Sequence, residues 1–157
     1  MGLLDKISGW FSSDPEAGGP AFILDGVGVL NIRSGRPSPR DMIGLLYRLG
    51  RFAEKEKVRV TVVYEGEALH KAADGDEFQG VTVYYADNAS GRRERILEIA
   101  KQAARKGRVT VICGDAQMEK DAAAAGAQTL RAGTFRKAME MGGDGDGFSE
   151  GDRKSVG

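Results

Sequence analysis

Asp25, Glu65 and Asp115 stand just past runs of apolar residues: Ala21-Phe22-Ile23-Leu24 leads to the first, Val60-Thr61-Val62-Val63-Tyr64 to the second, and Val109-Thr110-Val111-Ile112-Cys113 to the third. Short apolar runs of this kind read as buried strands, so each carboxylate is delivered to a strand's carboxyl end. In sheets of parallel strands that edge is where ligands bind. Carboxylates gathered there without a histidine or thiol shell offer hard oxygen donors, which suit Mg2+ or Mn2+ rather than zinc. Such an ion activates water and neutralises charge at a phosphodiester. The alternative is structural: an Asp at a strand end also caps a turn or the next helix.

Basic side chains form the second set. Residues 31–60 hold eight Lys and Arg against three acids, and residues 88–108 hold seven against two, a local excess of +5 in each. Arg33 and Arg36 follow the first strand, on the same edge as the carboxylates, where they can line a path for a phosphate backbone. Arg92, Arg93 and Arg95 open a helix, where positive charge opposes the helix dipole and therefore needs another reason to be there. Tyr84 and Tyr85 end a strand; one of them is placed to stack on an unpaired base, or both close the sheet against a loop. His70 reads as a surface residue, and Cys113, the single cysteine, as inert packing on a buried strand.

The elements that position these groups alternate strand and helix. The pattern predicts strands over 21–24, 58–64, 81–85, 109–113 and 127–130, with a turn at Asp25-Gly26. Ser38-Pro39-Arg40-Asp41 is a helix start, with Ser38 as cap, Pro39 in the first turn and Asp41 completing a weak capping box. That helix carries Met42, Leu45, Leu46, Leu49 and Phe52 on one face. A second helix is capped by Ser90, with Ile96, Leu97, Ala100, Ala103 and Ala104 inward, and others cover 118–125 and 134–141. Helical crossovers between strands require a mainly parallel sheet with helices on both faces: an α/β three-layer αβα sandwich, five-stranded, in the order 3-2-1-4-5.

Two motif readings of the first turn fail. Gly26 and Gly28 match the start of a dinucleotide-binding G-x-G-x-x-G, but Asn31 stands at the third position and no helical pattern opens there. A haloacid-dehalogenase phosphatase would place its nucleophilic aspartate on Ile23. A third reading covers most of the chain. Phe22-Ile23-Leu24-Asp25-Gly26, Val60 to Glu65, Val109 to Asp115, and Ala124-Ala125-Gly126-Ala127 followed by Phe135 occur in the order of a known pattern, and residues 21–140 resemble the NYN/YacP-like ribonucleases of the PIN-like superfamily. The resemblance implies single-stranded RNA as partner, ribosome-associated RNA included, with Asp25 and Asp115 as catalytic carboxylates and ligands of Mg2+ or Mn2+. It also shows departures. The family's Asp-Gly-Tyr-Asn is Asp25-Gly26-Val27-Gly28 here, and its paired aspartates at the start of the helix after the third strand become Arg93 and Glu94, leaving Glu94 as a substitute ligand. Arg93 has two readings: an internal counter-charge in the metal's place, or an outward grip on phosphate.

The chain of 157 residues has 23 basic and 23 acidic side chains and 41% hydrophobic residues, the make-up of one ordinary domain that needs no disulfide. Met1-Gly2-Leu3-Leu4-Asp5-Lys6 opens an amphipathic helix with Leu3, Leu4, Ile7, Trp10 and Phe11 on one side, interrupted by charge and too short to span a bilayer. The expected organisation is a helix and linker over 1–20, an NYN/PIN-like domain over 21–141 and a disordered Gly/Asp-rich tail over 142–157, in a cytoplasmic, non-integral protein. The function implied is RNA binding with a partly degenerate metal-dependent ribonuclease site. The alternative is a non-catalytic adaptor that docks a protein partner through Leu3, Leu4, Ile7, Trp10 and Phe11.

Overall fold

The computed structural model describes residues 20–31 and 36–142, so the 3–11 segment, Arg33 and the tail after 142 lie outside the described residues. The elements are β1 (Ala21–Asp25), α1 (Gly26–Leu30), α2 (Pro39–Glu56), β2 (Arg59–Glu65), β3 (Glu77–Phe78), β4 (Val81–Ala86), α3 (Ala89–Lys106), β5 (Val109–Cys113), α4 (Ala116–Ala124), β6 (Gln128–Arg131) and α5 (Ala132–Gly142). The sheet runs β3-β4-β2-β1-β5-β6. All pairings are parallel except that of β3 with β4. The order expected from sequence is that of the five parallel strands. The sixth is an edge hairpin: Phe78 pairs with Val81 across Gln79 and Gly80, both at positive φ (56° and 86°) as a tight two-residue turn demands.

Strand alternation sorts the core into two layers. Phe22 and Leu24 of β1 and Val60, Val62 and Tyr64 of β2 face α1, α2 and α5, where they pack with Leu45, Leu46, Leu49 and Phe135. Ala21 and Ile23 of β1, Val63 of β2, and Val109, Val111 and Cys113 of β5 face the other way, against Ile96 and Ala100 of α3 and Met118 and Ala122 of α4. Each fully buried large side chain contributes about 1.5–3 kcal/mol. Phe22 meets Phe52 edge-on at 5.5 Å, and Phe52 meets Phe135 at 5.2 Å, which ties α2 and α5 to the centre of the sheet.

Two local expectations are corrected. Ser90 does not cap α3; Asn88 does, its side chain accepting from Gly91 N at 2.8 Å. Asn caps as well as Ser, and it stands nearer the end of β4, so the helix begins sooner. The turn after β1 is instead a short helix. Asp25 Oδ1 accepts from Val27 N and Gly28 N, both at 3.2 Å, and Asn31 closes the far end in the left-handed region. Arg136 of α5 donates to the last carbonyls, Gly28 O at 3.1 Å and Val29 O at 3.2 Å. This helix does not revive the dinucleotide reading, because a side-chain carboxylate already occupies the amino-terminal end where a pyrophosphate would sit.

Ser38 caps α2 as expected, accepting from Asp41 N at 3.1 Å. Glycine is required where α1 meets β5. A Cβ on Gly28 would lie 2.8 Å from the Gly114 Cα, and one on Gly114 would lie 2.9 Å from Asp25 Oδ2. Gly28→Ala should therefore cost about 1–3 kcal/mol in urea unfolding, whereas Gly44→Ala, with nothing within 4 Å of the new Cβ, should be neutral or stabilise α2 by up to about 1 kcal/mol. Equal effects of the two would refute the close contact.

Candidate functional site

Alternation in the strands decides which carboxylates meet. Asp25 stands two residues beyond Ile23, and Glu65 two beyond Val63, both inward residues of the α3 layer. Side chains two apart on a strand share a face, so both carboxylates emerge toward α3 at the carboxyl edge of neighbouring strands. Helix α3 starts at that edge. Its buried residues Ile96 and Ala100 extend back by one turn to Arg92, which must share their face.

Arg92 lies between the two carboxylates. Its Nε is 3.0 Å from Asp25 Oδ1, and its Nη1 donates to Glu65 Oε1. The group is sequestered: side-chain exposure is 16% for Arg92, 6% for Asp25 and 18% for Glu65. The Nε approach is badly angled, so this buried nitrogen makes an ion pair without a proper hydrogen bond. Asp25 Oδ1 thus serves two backbone amides and a guanidinium together.

Asp115 is drawn elsewhere. Its Oδ1 caps α4 by accepting from Met118 N at 2.8 Å, and its Oδ2 faces Arg93 Nη2 at 3.7 Å. Arg93 Nη1 reaches toward Asp121 at 3.8 Å. Arg93 therefore does not bridge Asp25 and Asp115, and the internal counter-charge is the residue before it. Arg95 pairs with Asp74 at 3.2 Å and covers the Tyr84 ring at 4.7 Å. Each arginine that opens α3 has an acidic partner, which is what its position against the helix dipole requires.

The other sequence-predicted residues fall around this centre. Arg36 is exposed and donates to Asp87 O at 2.8 Å, with its stem over Gly66. Glu94 is exposed; two residues past Arg92 it lies about 200° round the helix, and the structure does not bring it to the carboxylates. Tyr85 is buried, its hydroxyl donating to Ala72 O at 2.6 Å and accepting from Leu69 N at 3.2 Å. With Tyr84 under Arg95, both tyrosines close the sheet against the 66–76 loop. His70 is exposed. Burial, then nearby Glu119, pushes the Cys113 thiol up to about 12, so it is no nucleophile at neutral pH. Burial likewise raises the Tyr64 phenol, which donates to Met42 O.

The sequence offers Arg93 either as the counter-charge or as an outward grip on phosphate, and does not single out Arg92. The signal for Arg92 was present, since Ile96 and Ala100 define the inward face and Arg92 continues it at steps of four. Asp74 and Asp121 carried no signal, because their partners come from other elements.

The donor chemistry of Asp25, Glu65 and Asp115 suits Mg2+ or Mn2+, but the residues as arranged do not fit such an ion. A full positive charge already sits between Asp25 and Glu65, and Asp115 points to a second arginine and its own helix. Mn2+ should leave the melting temperature of the protein unchanged. Arg92→Met should lose about 3 kcal/mol, because it strands buried Asp25, and should regain part of that loss in Mn2+. A Mn2+-induced rise in the unsubstituted protein, abolished by Asp25→Asn, would show that the carboxylates are open to metal after all.

Among the described residues no helix is long and apolar enough to cross a membrane. No curated protein matches the chain. The crystal structure of Rae1 (YacP) from Bacillus subtilis is similar in fold, with a TM-score of 0.58 at 15% identity over 77% of this chain and 74% of that one. The family model for the YacP-like NYN domain matches residues 40–144. The central β1, the edge where Arg92 meets Asp25 and Glu65, and the matched region form one continuous sheet-and-helix body, and the chain belongs to the YacP-like NYN domain family.

Proposed function

We propose that this domain binds single-stranded RNA along the carboxyl edge of its sheet, in the cytoplasm, and that its carboxylate cluster no longer serves metal-dependent cleavage. The observation that carries this reading is the placing of Arg36, Arg92 and Arg93 around the ends of β1, β2 and β5, the edge at which folds of this type take ligands. Arg92 and Arg93 offset the carboxylates that would otherwise repel a polyanion. Arg36 adds positive charge whose contact is to a backbone carbonyl. The NYN family supports a nucleic-acid partner, and the resemblance to NYN/YacP-like ribonucleases supports single-stranded RNA in particular. The inserted arginine supports binding over hydrolysis.

Fluorescence anisotropy with a labelled single-stranded oligoribonucleotide tests both parts. Binding should weaken with salt at a log–log slope of roughly −2, the value for three phosphate contacts on a single strand, and Arg36→Ala should make the slope shallower by about 0.7. The oligonucleotide should remain intact in Mn2+. Absent or salt-insensitive binding would refute the RNA reading. Mn2+-dependent cleavage that disappears in Asp25→Asn would refute the loss of hydrolysis.

A further inference from the structure

Asp25, expected from the family's pattern to hold a metal ion, and Glu65 at the end of the neighbouring strand share a different partner here, and the geometry suggests a different use. Asp25 takes Nε of Arg92 and Glu65 takes Nη1. Among the described residues nothing takes a hydrogen bond from Nη2. The guanidinium is a planar fork with fixed donor directions. A hydrogen bond at Nη1 together with a close ion pair at Nε restrains the plane of the guanidinium and so the aim of Nη2. A long side chain that would otherwise lose substantial rotamer freedom on binding is thus already ordered.

We propose that Asp25 and Glu65 are positioning residues: they brace Arg92 so that its remaining nitrogen meets a phosphate oxygen of the bound nucleic acid. This rests on the RNA reading above. The brace is itself built. Asp25 is fixed by the two amides of α1, α1 is held from its far end by Arg136, and Gly28 and Gly114 bring α1 against β5 so that Asp25 Oδ2 seats over Gly114. Glu65, the last residue of β2, meets Arg92 on the other side. Arg93 differs, since its contacts are longer and its side chain more exposed (36%).

The consequence has an unusual sign. Removing a negative charge beside a polyanion site ordinarily tightens binding. If the carboxylates brace Arg92, removing one loosens it. Glu65→Met is the informative variant, because it leaves the buried Asp25–Arg92 pair and the α1 cap in place. By anisotropy on the same oligoribonucleotide it should bind about fivefold more weakly than the unsubstituted protein, with a salt slope shallower by about 0.7, as for loss of one phosphate contact. Glu65→Gln, which keeps an acceptor of the same reach, should recover part of the affinity. Glu65→Met combined with Arg92→Met should be no weaker than Arg92→Met alone, the non-additivity of groups acting through one another.

Asp25→Asn is the second variant, since Asn retains the helix cap; it should weaken binding in the same direction. Circular dichroism and melting curves establish that each variant is folded. Affinity that is unchanged or tighter in both Glu65→Met and Asp25→Asn, with an unchanged slope, overturns the brace while leaving RNA binding in place. Failure of the unsubstituted protein to bind overturns both. An RNA-independent check is the Arg92 Nε–H signal in nitrogen-edited NMR: it should exchange slowly with water and stand apart from the other arginines, and its loss into the averaged arginine envelope would overturn the brace.

Discussion

The contact on which the rest of the site depends is the one between Arg92 and the carboxylates of Asp25 and Glu65. At about 4 Å and an effective dielectric near 20, a unit charge pair gains roughly 4 kcal/mol before desolvation is counted. Burying three charged groups consumes much of that gain, so the triad adds little net stability. Its effect is geometric. It fixes the start of α3 over the ends of β1 and β2, explains positive charge at a helix amino terminus, and gives Asp25 a partner in a layer that is otherwise apolar. Losing either sign alone would leave the other buried without compensation, which is far costlier than losing both.

The same residue shows how fold and site are fused. Asp25 is the last residue of β1, the cap of α1 and the ion-pair partner of α3. One side chain thereby orients a helix on one face of the sheet and another on the opposite face. Of the two readings of Asp25 that the sequence leaves open, the structure shows the cap, and the same carboxylate also pairs with Arg92. For Asp115 capping is the tighter contact, with Arg93 at longer range.

Much of the fold was legible because strands here are apolar runs bounded by charge, and the helices carry clear inward faces at steps of three and four. Parallel order followed from the crossover helices. What escaped was local. The edge hairpin at Glu77–Phe78 is held by backbone conformation at Gln79 and Gly80 rather than by a hydrophobic pattern, and α1 is short, glycine-containing and stabilised by Asp25 and Arg136 from outside itself. Asp25 and Glu65 were placed at the right edge by strand ends alone. Their partner is Arg92, one residue from the Arg93 that stands at the family's expected aspartate; the helical period through Ile96 and Ala100 points to it, whereas motif position does not. Asp74 and Asp121 were beyond reach, since distant elements bring them to arginines.

The contact between Gly28 and Gly114 limits which side chains this site can accept. A side-chain amide at position 28, the residue type expected in the family's pattern, has no room while the Gly114 backbone lies against it. Restoring it requires α1 to lift from β5, which would pull Asp25 from its seat and Arg92 with it. A larger residue at either glycine therefore couples the spacing of α1 and β5 to the seat of Asp25. Two missing methyl groups act as a latch on the site's geometry.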